Sequence, residues 1–348
     1  MAYLKADGFE TYGDLETNME LAQWADINGS AALTAGAGRD GGYALQIGSG
    51  ATLAVRMTFG KNTTTCIIAF AIKFVASLPA SSTACGFSLL DNAGTENASV
   101  TWGSDGSILF RRGSRSGTIL AQTAPDVLSV GSWLFFEIKA TASQTVGAVE
   151  IRVNGVTEAS ATGLDSVNGS NVEYSQINFN NGASGTANYQ IDDFFILDDT
   201  GPYLNDFLGD RVVLEQVCDA DGADADWTLS AGVDSYAVID EIPQDGDTTY
   251  AQASIVGDRM GITFPDLPAG YNAVECVELF QISKKTSAGT GSVKMIASSN
   301  SVEGDGPDEA LTEAYAGYRA IFETDPDTTL PWSVARANAV TAILERTL

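Results

Sequence analysis

Histidine is absent from all 348 residues, and that absence removes more chemistry than any motif in the chain supplies. Imidazole is the usual general base near neutral pH and the group that activates Ser and Cys nucleophiles. Neither a Ser-His-Asp nor a Cys-His arrangement can be assembled here. Positive charge is also scarce: 18 Lys and Arg stand against 45 Asp and Glu, a formal net charge of −27. Binding to nucleic acid or to an anionic membrane surface needs a concentrated basic patch, so neither partner is expected. The acidity suits a protein kept soluble at high local concentration or in a multimer. Cysteine is limited to Cys66, Cys85, Cys218 and Cys276, with no CxxC spacing. Without histidine, a zinc site is not expected. Cys66 and Cys276 lie in apolar runs where a free thiol acts as a small hydrophobe, and four buried thiols are the expectation. No run approaches the ~18 apolar residues of a membrane span, and Met1–Phe9 lacks an apolar signal-peptide core. Neither membrane insertion nor conventional export is expected.

What is present reads as strands. Apolar residues make up 44 % of the chain, and 36 Gly against 9 Pro suit short strands and tight turns. Tyr43–Ile47, Leu53–Phe59, Gly86–Asp91, Ala98–Trp102, Trp133–Thr141, Gly147–Val153 and Ser175–Phe179 alternate or nearly alternate polar and apolar residues. Ile67–Val75 is almost continuously apolar, as a central sandwich strand is. Asp105-Gly106 and Asn154-Gly155 mark hairpins. Leu15–Trp24 carries weak helical spacing. Many short strands, with no long crossover helix between them, describe an antiparallel β-sandwich and argue against a parallel sheet.

A break is predicted at Asp198–Pro202, giving a β-sandwich over residues 1–200 and a second β-rich domain over 203–348. In that second half, strands are expected over 211–217, 235–239, 250–254, 261–264, 273–283, 291–297 and 316–323. A C-terminal helix over Val334–Leu344 is expected after Ser333 as N-cap. The run Asp219–Asp226 spaces acids like the start of an EF-hand, but no bidentate Glu closes a twelve-residue loop. It reads as a flexible acidic loop.

Several passages carry a resemblance. DGFE with the later Trp24, RDGGYALQI (Arg39–Ile47), VGSWLFFEIKATAS to VEIRVNG (Val130–Gly155) and YQIDDFFILDDTG (Tyr189–Gly201) resemble the laminin-G or concanavalin-A-like jelly-roll superfamily. LNDFLGDRVV (Leu204–Val213), DGDTTY (Asp245–Tyr250), FPDLP (Phe264–Pro268) and ETDPDTTLPWSVARANAV (Glu323–Val340) resemble a module of tailed-bacteriophage structural proteins. The resemblance implies a non-enzymatic virion protein exposed on the particle and assembled in the bacterial host cytoplasm. It would be a tail appendage (fibre, knob or baseplate part) or a capsid decoration, partnered by other virion proteins and copies of itself, and touching host-surface carbohydrate. The alternative is a carbohydrate-binding module or a glycan-cleaving jelly-roll enzyme.

No catalytic or cofactor-binding residue is assigned. The superfamily often holds a structural calcium where first and last strands meet, which implies Asp7 or Glu10 with Asp192; the plainer reading is solvent-facing acids on edge strands. Trp102, Trp133, Trp227 and Trp332 are weighed as sugar-stacking platforms against core packing, with Trp133 read as core. Arg111, Arg112 and Arg115 form the one local basic cluster, read as a solvated loop or an acidic partner's contact. Glycosidase chemistry would require two carboxylates facing across a groove. Glu137 and Glu150 are expected instead at polar strand positions facing solvent.

Overall fold

The all-β expectation holds. The computed structural model describes residues 2–13, 16–21, 24–27, 31–48, 50–182 and 187–348, and its regular secondary structure is almost wholly antiparallel strand. It divides into two compact units, Met1–Glu215 and Gln216–Leu348.

In the first unit the strands are β1 (Tyr3–Asp7), β2 (Trp24–Ala25), β3 (Ala31–Ala35), β4 (Tyr43–Ile47), β5 (Ala51–Thr63), β6 (Thr65–Phe74), β7 (Cys85–Leu90) and β8 (Glu96–Trp102). They continue as β9 (Ile108–Arg112), β10 (Ile119–Gln122), β11 (Leu134–Thr141), β12 (Gly147–Val153), β13 (Val156–Leu164), β14 (Tyr174–Asn181) and β15 (Tyr189–Asp198). The expected helical stretch yields α1 (Glu16–Leu21), while its residues Leu15, Ala22 and Gln23 lie outside the described ones. An eight-stranded sheet runs β13-β12-β11-β6-β15-β4-β3, with β1 also paired to β15. A seven-stranded sheet runs β10-β9-β8-β7-β14-β5-β2. The two face each other across a layer of rings. Phe70 of β6 meets Phe87 and Phe179 of the opposite sheet at 5.9 and 5.5 Å and Phe136 of its own at 5.1 Å. Trp102 stands edge-on to Phe136 at 5.4 Å. Such edge and offset geometries suit the ring quadrupoles, beyond the area they bury.

β6 and β15 are buried on both faces, and the chain beyond the expected domain break is the reason. Residues 203–215 do not leave the sandwich; they run as a strap over the outer face of the eight-stranded sheet. Asp206 meets the Lys139 ammonium at 3.1 Å, and Phe207 lies 3.9 Å below the Arg152 guanidinium. The Gly209 N–H donates to Glu137 Oε1 at 2.9 Å and the Val213 N–H to Asp193 Oδ1 at 2.8 Å. Glu215 closes the strap by accepting from the Gly8, Glu10 and Thr11 N–H groups at 2.9, 3.0 and 2.9 Å. Glycine is required at position 8, because a Cβ there would collide with the Val213 carbonyl. Two expectations are corrected by this strap. Residues 211–217 form no ladder strand, and Glu137 does not face solvent. It is wholly buried, and burial raises its pKa.

The second unit has strands β16 (Ala220–Ala225), β17 (Thr228–Leu229), β18 (Ala251–Gln252), β19 (Arg259–Thr263), β20 (Val277–Ser283), β21 (Ser292–Ser299), β22 (Val302–Ala310) and β23 (Ala316–Phe322), then α2 (Val334–Asn338) and β24 (Thr341–Arg346). A five-stranded sheet runs β16-β19-β24-β21-β22, with β17–β18 and β20–β23 as separate pairs. Met260, Leu279, Met295, Ala320, Trp332 and Ala342 belong to its core. The acidic run Asp219–Asp226 is not a flexible loop: it contains β16, an exposed edge strand paired to β19. The other edge, β22, is also acid-rich (VEGDGPDEA) and is a strand that sequence reading missed. Residues 235–239 form a single 3-10 turn, Tyr236–Val238, not a strand. Ser333 does cap a helix, its Oγ accepting the Arg336 N–H at 3.3 Å. That helix stops at Asn338, however, and the apolar residues expected to continue it enter the sheet as β24.

The ring layer predicts the first measurable consequence. Phe70→Ala removes a fully buried ring and should cost about 3–5 kcal/mol of unfolding free energy. Urea denaturation followed by tryptophan fluorescence reads this directly; a change below about 1 kcal/mol would remove Phe70 from the centre of the fold.

Candidate functional site

Of the two pairings expected to hold a calcium, Asp7 or Glu10 with Asp192, only Glu10 and Asp192 are brought near one another. Asp7 turns inward at the end of β1 and is fully buried. Its Oδ2 accepts from Trp24 Nε1 at 2.6 Å and the Tyr12 hydroxyl at 2.5 Å, and its Oδ1 from the Phe9 N–H at 2.8 Å. It ties the N-terminal segment to the ring layer. Glu10 and Asp192 are instead brought together at the Gly38–Tyr43 turn. Glu10 accepts from the Tyr43 N–H at 3.0 and 3.2 Å, and Asp192 Oδ2 from the Arg39 N–H at 2.7 Å. The β15–β6 register shifts between Asp192 and Phe195, with Asp193 at φ 50°. This bulge, which no feature of YQIDDFFILDD announces, turns two successive acids toward Arg39, while Phe194 stays against Trp24 at 5.4 Å. Asp193 meets Arg39 at 3.1 Å. Among the described residues no group of three or more Asp, Glu or Cys side chains is arranged to hold a metal ion.

A different site emerges on the outer face of the seven-stranded sheet. Phe87 pairs with Val100 and Phe179, which fixes the inward positions of β7, β8 and β14. One residue along, every partner therefore points outward. Ser88 pairs with Ser99 and Asn178, Asn178 with Arg56, and Ser99 with Arg111. The result is a polar line, Arg56–Asn178–Ser88–Ser99–Arg111, across β5, β14, β7, β8 and β9. Asn180 and Thr101 flank it on one side, Gln176 and Glu96 on the other. Arg56 Nε donates to Asn178 Oδ1 at 3.1 Å, the Ser88 hydroxyl to Glu96 Oε1 at 2.8 Å, and Asn180 Nδ2 to Ser88 Oγ at 3.4 Å. Arg56 also meets Asp26 at 3.0 Å. Ser88, Ser99 and Thr101 are fully buried, while Arg56, Asn178, Gln176 and Glu96 are half-buried. Ser99 Oγ, Asn180 Oδ1 and Gln176 Oε1 have no hydrogen-bond partner within the protein. Each such buried atom costs about 1–3 kcal/mol. Sequence reading overlooked this face. Its signal is the predominance of Ser, Thr, Asn and Gln over charged residues at the outward positions of β7, β8 and β14.

The aromatic and basic candidates separate. Trp102 and Trp332 are buried, and Trp332 Nε1 donates to the Phe322 carbonyl at 2.8 Å. Trp227 is half-buried and donates to the Asp258 carbonyl at 3.2 Å. Trp133, read as core, is instead half-buried just ahead of β11, with the Lys73 ammonium 5.4 Å from its ring. Arg112 leaves the basic cluster to pair with Asp165 at 2.7 Å, while Arg111 and Arg115 reach the 82–84 segment. Cys66, Cys85 and Cys218 are buried free thiols and Cys276 is half-buried.

No family model matches the chain, and no curated protein matches it. Among solved structures, alginate lyase Aly36B is 10% identical, with a TM-score of 0.38, over 55% of this chain and 95% of that one. A protein of unknown function with a galectin-like fold from Bacillus subtilis is 13% identical, with a TM-score of 0.38, over 57% and 96%. A seed lectin of Lotus tetragonolobus is 12% identical, with a TM-score of 0.37, over 56% and 99%. Similarity at this level assigns no activity.

The Arg39 cluster predicts a pH dependence. Burial pushes Asp192 up to about 6, and burial together with the neighbouring Asp192 charge pushes Asp193 up to about 7, both above the ordinary carboxylate value of ~4. A raised folded-state pKa gives stability that is fully present below the unfolded value and is lost as pH rises through the folded one. The melting temperature of the first unit should therefore fall between pH 5 and pH 8, and Asp193→Asn should flatten that slope. Calorimetry of both proteins across this range is the measurement; a wild-type slope unchanged in the variant would place the titration elsewhere.

Proposed function

We propose that this protein binds carbohydrate without cleaving it, along the polar line on the outer face of the seven-stranded sheet. The observation that carries this reading is the line itself: strand register sets amides, hydroxyls and guanidiniums side by side across five strands, and its half-buried members Arg56, Asn178, Gln176 and Glu96 keep surface that a ligand can touch. Sugar hydroxyls donate and accept at close spacing, which matches a surface of amides and hydroxyls better than an apolar ligand would. The face is a ladder of β-strands, so the side chains are held in place by backbone pairing before ligand arrives, and less ordering entropy opposes binding.

Binding without cleavage is supported by the carboxylates at hand. Glu96 is bonded by the Ser88 hydroxyl and Asp26 is paired with Arg56. Two-carboxylate hydrolysis needs one acid with a raised pKa opposite a second across the glycosidic bond, and these two are held in other roles. Display on a phage particle rests on the sequence resemblance of the second half, and within this proposal it supplies the setting: a module presented in many copies that contacts host-surface glycan.

The test is Asn178→Ala, at a half-buried position outside the ring layer. Loss of one or two hydrogen bonds to ligand should weaken binding to a recognised polysaccharide roughly tenfold, with the melting temperature little changed. Affinity electrophoresis through a panel of bacterial-surface polysaccharides, with a parallel assay for new reducing ends, gives both readouts. Binding that the variant retains in full would move the site off this face. Release of reducing ends would make the protein an enzyme.

A further inference from the structure

Four arginines of the first unit contrast with two others. Arg39, Arg56, Arg112 and Arg152 each face a carboxylate, at 3.1, 3.0, 2.7 and 2.7 Å, and Arg211 lies in the strap. Arg111 and Arg115 do not: among the described residues neither has an Asp or Glu within ion-pair distance. In a chain with 45 acids and a net charge of −27, a guanidinium without a carboxylate is conspicuous, and Arg111 is also only 6% exposed. Burial without a counter-charge lowers its pKa, the signature of a cation held where charge is costly.

Both side chains are positioned. Arg111 Nε donates to Thr101 Oγ1 at 3.2 Å, Nη1 to the Gly117 carbonyl at 3.0 Å and Nη2 to Ser82 Oγ at 3.2 Å. Three of five guanidinium N–H groups are thus satisfied by neutral acceptors, and those contacts aim the fork without neutralising it. Arg115 Nη1 donates to the Ala84 carbonyl at 2.6 Å, which also accepts the Gly182 N–H at 2.7 Å. Gly182 follows β14, two residues beyond Asn180 with its partnerless Oδ1. Thr101, beneath Arg111, and Asn180 both pair with Gly86. Arg111 therefore ends the polar line on β9, and both cations reach the side of it that Thr101 and Asn180 flank.

We infer that this end of the face is a subsite for an oxyanion carried by the glycan, a carboxylate or sulfate on an acidic polysaccharide. The inference rests on the carbohydrate-binding reading and adds its charge. A planar guanidinium fork matches a carboxylate in two parallel hydrogen bonds and supplies the interaction that a neutral sugar would leave unmade. The net negative charge of the protein opposes a polyanion at long range, but beyond about 8 Å it is screened at physiological salt, while the local pairs persist. The same charge keeps adventitious polyanion binding low, so retention of an acidic polymer is informative.

The full chain is compared with Arg115→Gln and Arg111→Lys by affinity electrophoresis on polygalacturonate, its methyl ester, dextran sulfate and dextran, with melting temperatures recorded for each protein. The expected result is binding to polygalacturonate or dextran sulfate that drops at least tenfold in Arg115→Gln at unchanged melting temperature. Arg111→Lys, which keeps charge but loses the fork, should weaken a carboxylate polymer more than a sulfated one. Preference between the two acidic polymers identifies the oxyanion. Equal affinity for polygalacturonate and its methyl ester, or full retention in both variants, overturns the inference. In that case neutral-polymer binding abolished by Asn178→Ala leaves the carbohydrate reading standing. Binding to none of the four polymers overturns the acidic subsite.

Discussion

The first unit depends on one packing contact, the closure of two sheets on a shared layer of aromatic rings centred on Phe70. Rings from β6, β7, β11, β14 and β15 meet there within 5.1–6.3 Å. Side chains alternate strictly along a strand, so fixing which residues enter this layer also fixes which residues leave it. Placing Phe87, Val100 and Phe179 inside sends Ser88, Ser99 and Asn178 outside. The polar face is in that sense the other half of the core, and a one-residue slip in any of these strands would destroy both together.

The two outer faces that result are treated differently. That of the eight-stranded sheet carries Phe135, Glu137, Lys139, Arg152 and the bulged Asp192–Asp193 pair, a mixture of rings and charges. The strap over residues 203–215 covers it with matching groups: Asp206 for Lys139, Phe207 for Arg152, Asp210 for Arg39, Glu215 for three backbone N–H groups. The outer face of the seven-stranded sheet carries mostly neutral hydrogen-bonding side chains bracketed by arginines, and buried polar atoms without a partner occur on both faces, Glu137 Oε2 and Gln190 Oε1 on the covered one.

The second unit shows another use of charge. Both edges of its five-stranded sheet, β16 and β22, are acid-rich and exposed. Like charges along an edge repel an approaching strand, which limits edge-to-edge pairing. The passage around Asp325 has an architectural role: its side chain accepts the Asp327 N–H at 3.0 Å and the Thr328 hydroxyl at 3.2 Å, and Asp327 holds Arg336 at 2.6 Å. The DPDTTLPW motif is accordingly a staple between a turn and α2.

The sequence by itself determined the strand grammar, the antiparallel class, the hairpins at Asp105-Gly106 and Asn154-Gly155, and the centrality of Ile67–Val75. These follow from periodicity and turn chemistry, which act over a few residues. It also excluded His-dependent catalysis, by composition alone. It misjudged β16, β22 and the length of the C-terminal helix, because exposed edge strands carry polar residues without an apolar period, and because β24 takes its conformation from β19 and β21 on either side. Only the tertiary structure decided that residues 203–215 remain with the sandwich, that Asp7 faces the core, and that Glu137 is buried. The same holds for the polar line. Arg56, Ser88, Ser99, Arg111 and Asn178 are scattered along the chain, and no local pattern relates them. Their meeting is set by strand register, which exists only once distant segments have paired.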